Sequence, residues 1–209
     1  MEILRKTITI GLFTLLVNTF IYAQSNFSNL QEAFSKSYML ESQGDFKLAA
    51  DEIKAFYDAN SYETNLRLGW LNYMAGNFNE SIAFYQKSME LMPFAVEPKF
   101  GYILPLSALG RWDEVISVYS LILTISPHDT KAMYYLGTIY YNRGQFDKAK
   151  KHFKQIVDLY PFDYDGLLMY AWSNLKLGMK KDATILFQKV LLNKPNDASA
   201  EEGLLLATQ

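Results

Sequence analysis

The chain has 209 residues, 50% hydrophobic, 15% aromatic and 20% charged, with 20 basic against 22 acidic side chains and a net charge of −2. That length suits one domain or a short repeat array, the apolar content excludes a disordered chain, and the balanced charge offers no field for a phosphate backbone. Cys is absent and His occurs twice, which excludes disulfide scaffolds, thiol nucleophiles and Cys/His zinc sites.

The first element reads as an address. Arg5 and Lys6 precede a charge-free stretch, Thr7 to Tyr22, which ends at Ile21-Tyr22-Ala23 before Gln24. A positive start, an apolar run and a small residue predict a signal peptide over 1–23, cleaved after Ala23, with a linker over 24–28. The run is shorter than the roughly 20 residues that cross a bilayer as a helix. An uncleaved anchor and a buried N-terminal helix are the alternatives, and an uncleaved signal segment is the one expected route to a membrane. No Cys stands at the cut, so a lipoprotein is not expected. An exported chain without disulfides fits a bacterial periplasm, or secretion, best.

The remainder repeats. Gly44, Gly76, Gly110, Gly144 and Gly178 are spaced by 32, 34, 34 and 34 residues, and Pro93, Pro127, Pro161 and Pro195 by 34 each. Small or short residues recur seven before the glycine (Ser37, Gly69, Gly137, Ala171) and five after it (Ala49, Ser81, Ala149, Ala183). Apolar residues at three- and four-residue spacing flank each glycine, so two amphipathic helices surround a tight reversal. The prolines end each second helix.

These features resemble the tetratricopeptide repeat family, most clearly from Leu136 to Pro161, where Leu-Gly, Tyr, Gly, an aromatic, Ala, an aromatic and Pro follow in order. The resemblance implies an all-α fold, an α-solenoid of five helix-turn-helix repeats over 29–61, 62–95, 96–129, 130–163 and 164–197, with a capping helix over 198–209. In the capping helix Leu204, Leu205 and Leu206 need cover, while Glu201 and Glu202 face water. The first repeat is two residues short and has Ser61 where the closing proline belongs. The third carries Ile103 and Val115 at the close-approach positions and Pro105 inside its first helix. A kinked or splayed helix pair is expected there, with Gly101 easing the proline's clash.

Tools for chemistry are few, and no enzyme, metal or cofactor is expected. His128 sits in a turn, and His152 is expected on an exposed helix face. Asp163-Tyr164-Asp165-Gly166 imitates a calcium loop, but its closing position holds Asn174 rather than Glu. Lys148, Lys150, Lys151 and Lys154 read as a solvated face.

The resemblance also implies a concave stripe on each first helix that receives a protein or peptide partner. At those positions stand Phe34, Tyr38, Trp70, Tyr73, Phe100, Tyr134, Tyr141 and Trp172. Aromatic residues of this kind bury large area at little rotamer cost. Packing between repeats is the competing role for them. The carboxylate clamp of the family's co-chaperones is not expected, because aromatic and aliphatic residues stand at most of its positions. The expected function is a non-enzymatic adaptor for envelope or secretion assembly. Sugar stacking on the aromatics is the alternative, and self-assembly through Leu204 to Leu206 is compatible with either.

Overall fold

The computed structural model describes residues 27–209. The expected signal peptide and residues 24–26 of the expected linker lie outside the described residues.

Helices alone make up the regular structure of the described residues: α1 (27–42), α2 (Phe46–Lys54), α3 (Tyr62–Met74), α4 (Phe78–Leu91), α5 (Glu97–Ala108), α6 (Trp112–Ile125), α7 (Thr130–Asn142), α8 (Phe146–Leu159), α9 (Tyr164–Lys176), α10 (Lys180–Asn193) and α11 (Ala198–Thr208). Taken in chain order they are five helix-turn-helix repeats and a closing helix, the all-α solenoid class read from the sequence. Among the described residues the chain divides into two units, 27–105 and 106–209, and the division falls inside α5, after Pro105.

The local chemistry repeats with the period. Every repeat reverses at a glycine of positive φ, from +70° at Gly110 to +85° at Gly44. A Cβ at these glycines would meet no atom within 4 Å, so backbone conformation, not space, calls for glycine. Second helices end at Met92, Ser126, Tyr160 and Lys194, with φ between −127° and −135°. Each precedes a proline, whose ring pushes the residue before it out of helical geometry. Ser61, Asp129, Asp163 and Asp197 cap the first helices, each accepting from the backbone N–H three residues on. Repeat one is the irregular unit: α2 has 9 residues where α4 has 14.

In the first unit Ala49, Ala50, Ile53, Leu68 and Leu71 form the core, with Phe34, Leu40, Trp70 and Phe84 against it. Small residues bring α3 and α4 close enough for Ser81 Oγ to donate to the Gly69 carbonyl at 2.7 Å. The Tyr85 ring lies between two glycines of successive first helices. A Cβ would stand 2.9 Å from it at Gly69 and 2.2 Å at Gly101. Gly101 therefore makes room for Tyr85, a role the sequence reading gave instead to relief of Pro105. The helix α5 runs on through Pro105 to Ala108, and Ile103 is buried. Lys99 is fully buried. Its amine donates to the carbonyls of Pro93 (2.6 Å) and Ala95 (2.8 Å), and burial holds it below the usual lysine range.

In the second unit Met133, Ala149, Phe153 and Ile156 form one cluster, and Leu167, Ala171, Ala183, Leu186, Phe187, Val190, Ala200 and Ala207 a second. Val115, the other bulky close-approach residue, is buried here. The helix α11 seats on Ala200, Gly203 and Ala207 rather than on its leucines. The reason is Phe187: a Cβ at Gly203 would stand 2.1 Å from its ring. Leu204 is half-buried, but Leu205 and Leu206 remain exposed, against the expectation that all three find cover.

Asp197 fixes α11 at its start. Its carboxylate accepts from Ala200 N (3.0 Å), Tyr164 OH (2.7 Å) and Lys194 Nζ (2.9 Å). Lys194 first, then Tyr164 and the Ala200 amide, hold its carboxyl down to about 2. A carboxyl lowered in the folded state adds stability that is present above its unfolded value, near 4, and is lost as pH falls toward 2. Hydrogen exchange along α11 is therefore expected to accelerate between pH 4 and pH 2 in the wild type. In Asp197→Asn that extra acceleration should vanish, and an unchanged pH profile would remove the carboxylate from this role.

Candidate functional site

The stripe positions expected to face a partner occupy the first helices α1, α3, α5, α7 and α9. Among the eight aromatics, Tyr38 is exposed, at 56%, and Phe34, Trp70, Tyr73, Phe100, Tyr134, Tyr141 and Trp172 are half-buried. None is sealed in the core, and each has surface for both packing and contact.

In the first unit these residues form one connected cluster. Phe34 lies against Tyr38 with ring centroids 6.3 Å apart, and Trp70 against Tyr73 at 6.0 Å. Arg67 joins the two helices. Its guanidinium sits 4.0 Å from the Tyr38 ring centroid, donates to Ser37 Oγ at 2.9 and 3.2 Å, and pairs with Glu41. Glu41 also accepts from the Trp70 indole Nε1–H at 2.5 Å. Arg67 is only 7% exposed, so its charge is compensated inside the cluster rather than by water. Tyr73 packs on Phe78 at 5.9 Å across the repeat's own turn. At the helix starts, Tyr62 OH donates to Glu97 (3.1 Å) and Ser61 Oγ to Glu63 (3.0 Å). Burial, then the Glu97 hydrogen bond and the charges of Glu97 and Glu63, push the Tyr62 hydroxyl up to about 12. The half-buried Phe100 sits on α5.

In the second unit the stripe aromatics are tied more closely to structure. Tyr134 packs edge-on to Phe153 at 5.8 Å, and Tyr141 on Phe146 at 5.2 Å. Burial raises both hydroxyls above the usual tyrosine range. Trp172 packs on Phe187 at 5.2 Å, and its indole N–H donates to Ser199 Oγ at 3.0 Å, so it helps to dock α11.

The pairing of Tyr73 with Phe78 recurs in Tyr141 with Phe146, three residues before a turn glycine and two after it. Repeat three has Ser107 at the first of these positions, and Trp112 at the second is left 45% exposed.

Arg67 was not legible as a site residue from the stripe alone. Its signal lies in its register: the same position holds Gly101, Tyr135 and Met169 in later repeats. A lone arginine at a position otherwise uncharged marks a buried ion pair. His152 also departs from expectation. It is half-buried, stacks on Tyr140 at 5.8 Å and 6°, and leaves Nδ1 buried without a partner. The bare backbone of Gly137 admits it: a Cβ there would lie 3.3 Å from His152 Cβ. Burial and Lys151 lower its pKa, so the ring is held toward its neutral form.

The most exposed large apolar side chains lie elsewhere. Phe94 is 83% exposed and Met92 51%, in the turn after α4, and Tyr160 and Phe162 stand 58% and 57% exposed in the turn after α8. Among the described residues no group of acidic and histidine side chains has the geometry to hold a metal ion.

Comparison with known proteins agrees with this architecture. Tetratricopeptide repeat models match residues 39–95, 131–163 and 165–197, more than half of the chain. The TPR repeat-containing protein YpiA of Bacillus subtilis (strain 168) is 26% identical over 180 residues. That alignment covers 86% of this chain but 43% of YpiA, so the chain spans less than half the length of that relative. A tetratricopeptide repeat protein from Parabacteroides merdae superposes with a TM-score of 0.72 at 19% identity, covering 86% of this chain and 72% of that one. MamA superposes at 0.68 and 20% identity, covering 81% and 94%. YrrB, a TPR protein with an unusual peptide-binding site, gives 0.67 at 14% identity, covering 88% and 95%. Repeat spacing, turn glycines, proline-closed helices and these matches lead to one conclusion: the chain belongs to the tetratricopeptide repeat family, whose repeats build protein-interaction modules.

Proposed function

We propose that this protein is a non-enzymatic adaptor that holds a peptide segment of a partner along the aromatic stripe of its first helices, in the exported compartment of a bacterium, during envelope or secretion-complex assembly. The observation that carries the binding surface is the Phe34–Tyr38–Arg67–Glu41–Trp70–Tyr73 cluster. It joins aromatic rings of two successive helices through an ion pair and keeps one ring, Tyr38, more than half exposed. Half-buried aromatics held by their neighbours bind with little ordering cost. The order of Arg5, Lys6, the apolar stretch and Ala23 supports export.

Sugar stacking needs open ring faces. Seven of the eight stripe aromatics are half-buried, and Arg67 covers one face of the eighth, which favours a peptide over a glycan.

An array of 12-residue peptides incubated with the full chain tests the binding reading. A defined subset should bind, and Tyr38→Ala, at an exposed position that leaves the fold intact, should weaken that subset about three- to tenfold. Binding unaffected by both Tyr38→Ala and Tyr73→Ala in folded protein would refute it.

A further inference from the structure

Charge is distributed unevenly between the two units. Residues 27–105 carry 6 basic and 10 acidic side chains, a net of −4, whereas residues 106–209 carry 12 and 11, a net of +1. The cations of the first unit are largely committed away from the stripe. Arg67 is held by Glu41 and Ser37, and the amine of Lys99 by two backbone carbonyls. Lys36 pairs with Glu52 at 2.6 Å, and Lys87 with Glu90 at 3.2 Å.

The stripe's own carboxylates are differently placed. Glu63 and Glu97 are exposed at the starts of α3 and α5, and the partners they hold within the unit are the hydroxyls of Ser61 and Tyr62 rather than a cation. The raised Tyr62 hydroxyl is a second sign of negative potential at this end. At the other end Tyr38 offers ring surface, its guanidinium-covered face already neutralised through Glu41. An occupant that complements both ends carries positive charge for the carboxylates and apolar side chains for the rings.

We infer that the stripe of the first unit takes an extended basic peptide, with lysine or arginine directed to Glu63 and Glu97 and apolar side chains resting on Tyr38 and its aromatic neighbours. This rests on the peptide-binding reading above and adds the chemistry of the ligand. Exposed charges act mainly on encounter and on choice of partner, so the selectivity is salt-sensitive.

Three labelled dodecapeptides test it, identical in their leucine, tyrosine and serine positions, with four further positions all lysine, all glutamine or all glutamate. Fluorescence anisotropy with the full chain at 50 mM salt should rank lysine above glutamine above glutamate. The extremes should differ by about tenfold or more, and the gap should shrink at 500 mM salt. The Glu63→Gln/Glu97→Gln protein should bind the lysine peptide about three- to tenfold more weakly and the glutamine peptide unchanged. Equal binding of all three peptides, still lost in Tyr38→Ala, overturns this inference and leaves the peptide-binding reading standing. Binding of none at any salt, or binding indifferent to Tyr38→Ala, overturns both. Salt-sensitive self-association that the double variant abolishes, without selection among the peptides, makes a second copy the occupant and also overturns the inference.

Discussion

Replacing Glu41 with alanine is expected to destabilise the protein by about 3 kcal/mol, because it strands a buried guanidinium. Arg67 is 7% exposed and would keep only the Ser37 hydroxyl and one face of Tyr38. The Trp70 indole N–H would lose its acceptor in the same step. Arg67→Met should cost less, about 1 kcal/mol, since methionine keeps most of the buried stem and Glu41 is left 23% exposed, within reach of water. The pair Glu41→Leu/Arg67→Met should recover most of the loss, as apolar replacement of a buried ion pair generally does. Urea denaturation of the four proteins measures this. A Glu41→Ala protein within 0.5 kcal/mol of the wild type would show that the pair does not hold repeats one and two together.

The second large effect is expected at Gly101 and Gly203, where alanine should cost about 1–3 kcal/mol each. At Gly101 the added methyl would stand 2.2 Å from the Tyr85 ring, and at Gly203 2.1 Å from Phe187. Both rings are buried, Tyr85 at 3% exposure and Phe187 at 0%, so neither swings aside without opening the core. Gly203→Ala should loosen α11 first, since Phe187 is what seats that helix. Trimming the ring supplies the control: Tyr85→Leu combined with Gly101→Ala, and Phe187→Leu combined with Gly203→Ala, should be less destabilised than the sum of the single changes. Additive losses by thermal denaturation would mean that ring and glycine do not share one space.

Much of this architecture was readable in the sequence because the period is written in residues with strong local physics. A turn glycine of positive φ, a proline closing the second helix and small residues where helices approach leave little freedom at Gly76, Pro93 or Ala149. The site was less legible, and for a physical reason. The stripe register says which residues share a helix face, but not how far neighbouring side chains cover them. Trp172 shares its register with Trp70, yet its indole is engaged by Ser199 and Phe187, residues that exist there only because α11 follows. Gly101 looked like a companion of Pro105 because they are close in sequence. Its partner is Tyr85, 16 residues earlier and on another helix. His152 lies beside Lys151 in a polar run, and only the missing side chain of Gly137 lets it turn inward. Where a residue's environment is set by its own turn, the sequence is a sufficient guide. Where it is set by the adjacent repeat, three-dimensional contact decides.

The proposed function turns on which surface receives the partner: the stripe of the first helices, or the more exposed turns that carry Phe94 and Phe162. Titrating a peptide chosen from the array into isotope-labelled full chain, and following backbone and aromatic resonances, separates the two directly. The account predicts shifts concentrated at Tyr38, Arg67, Trp70 and Tyr73, with Phe94 and Phe162 unmoved. Shifts confined to those two turns, with the Tyr38–Arg67–Trp70 cluster silent, would contradict it.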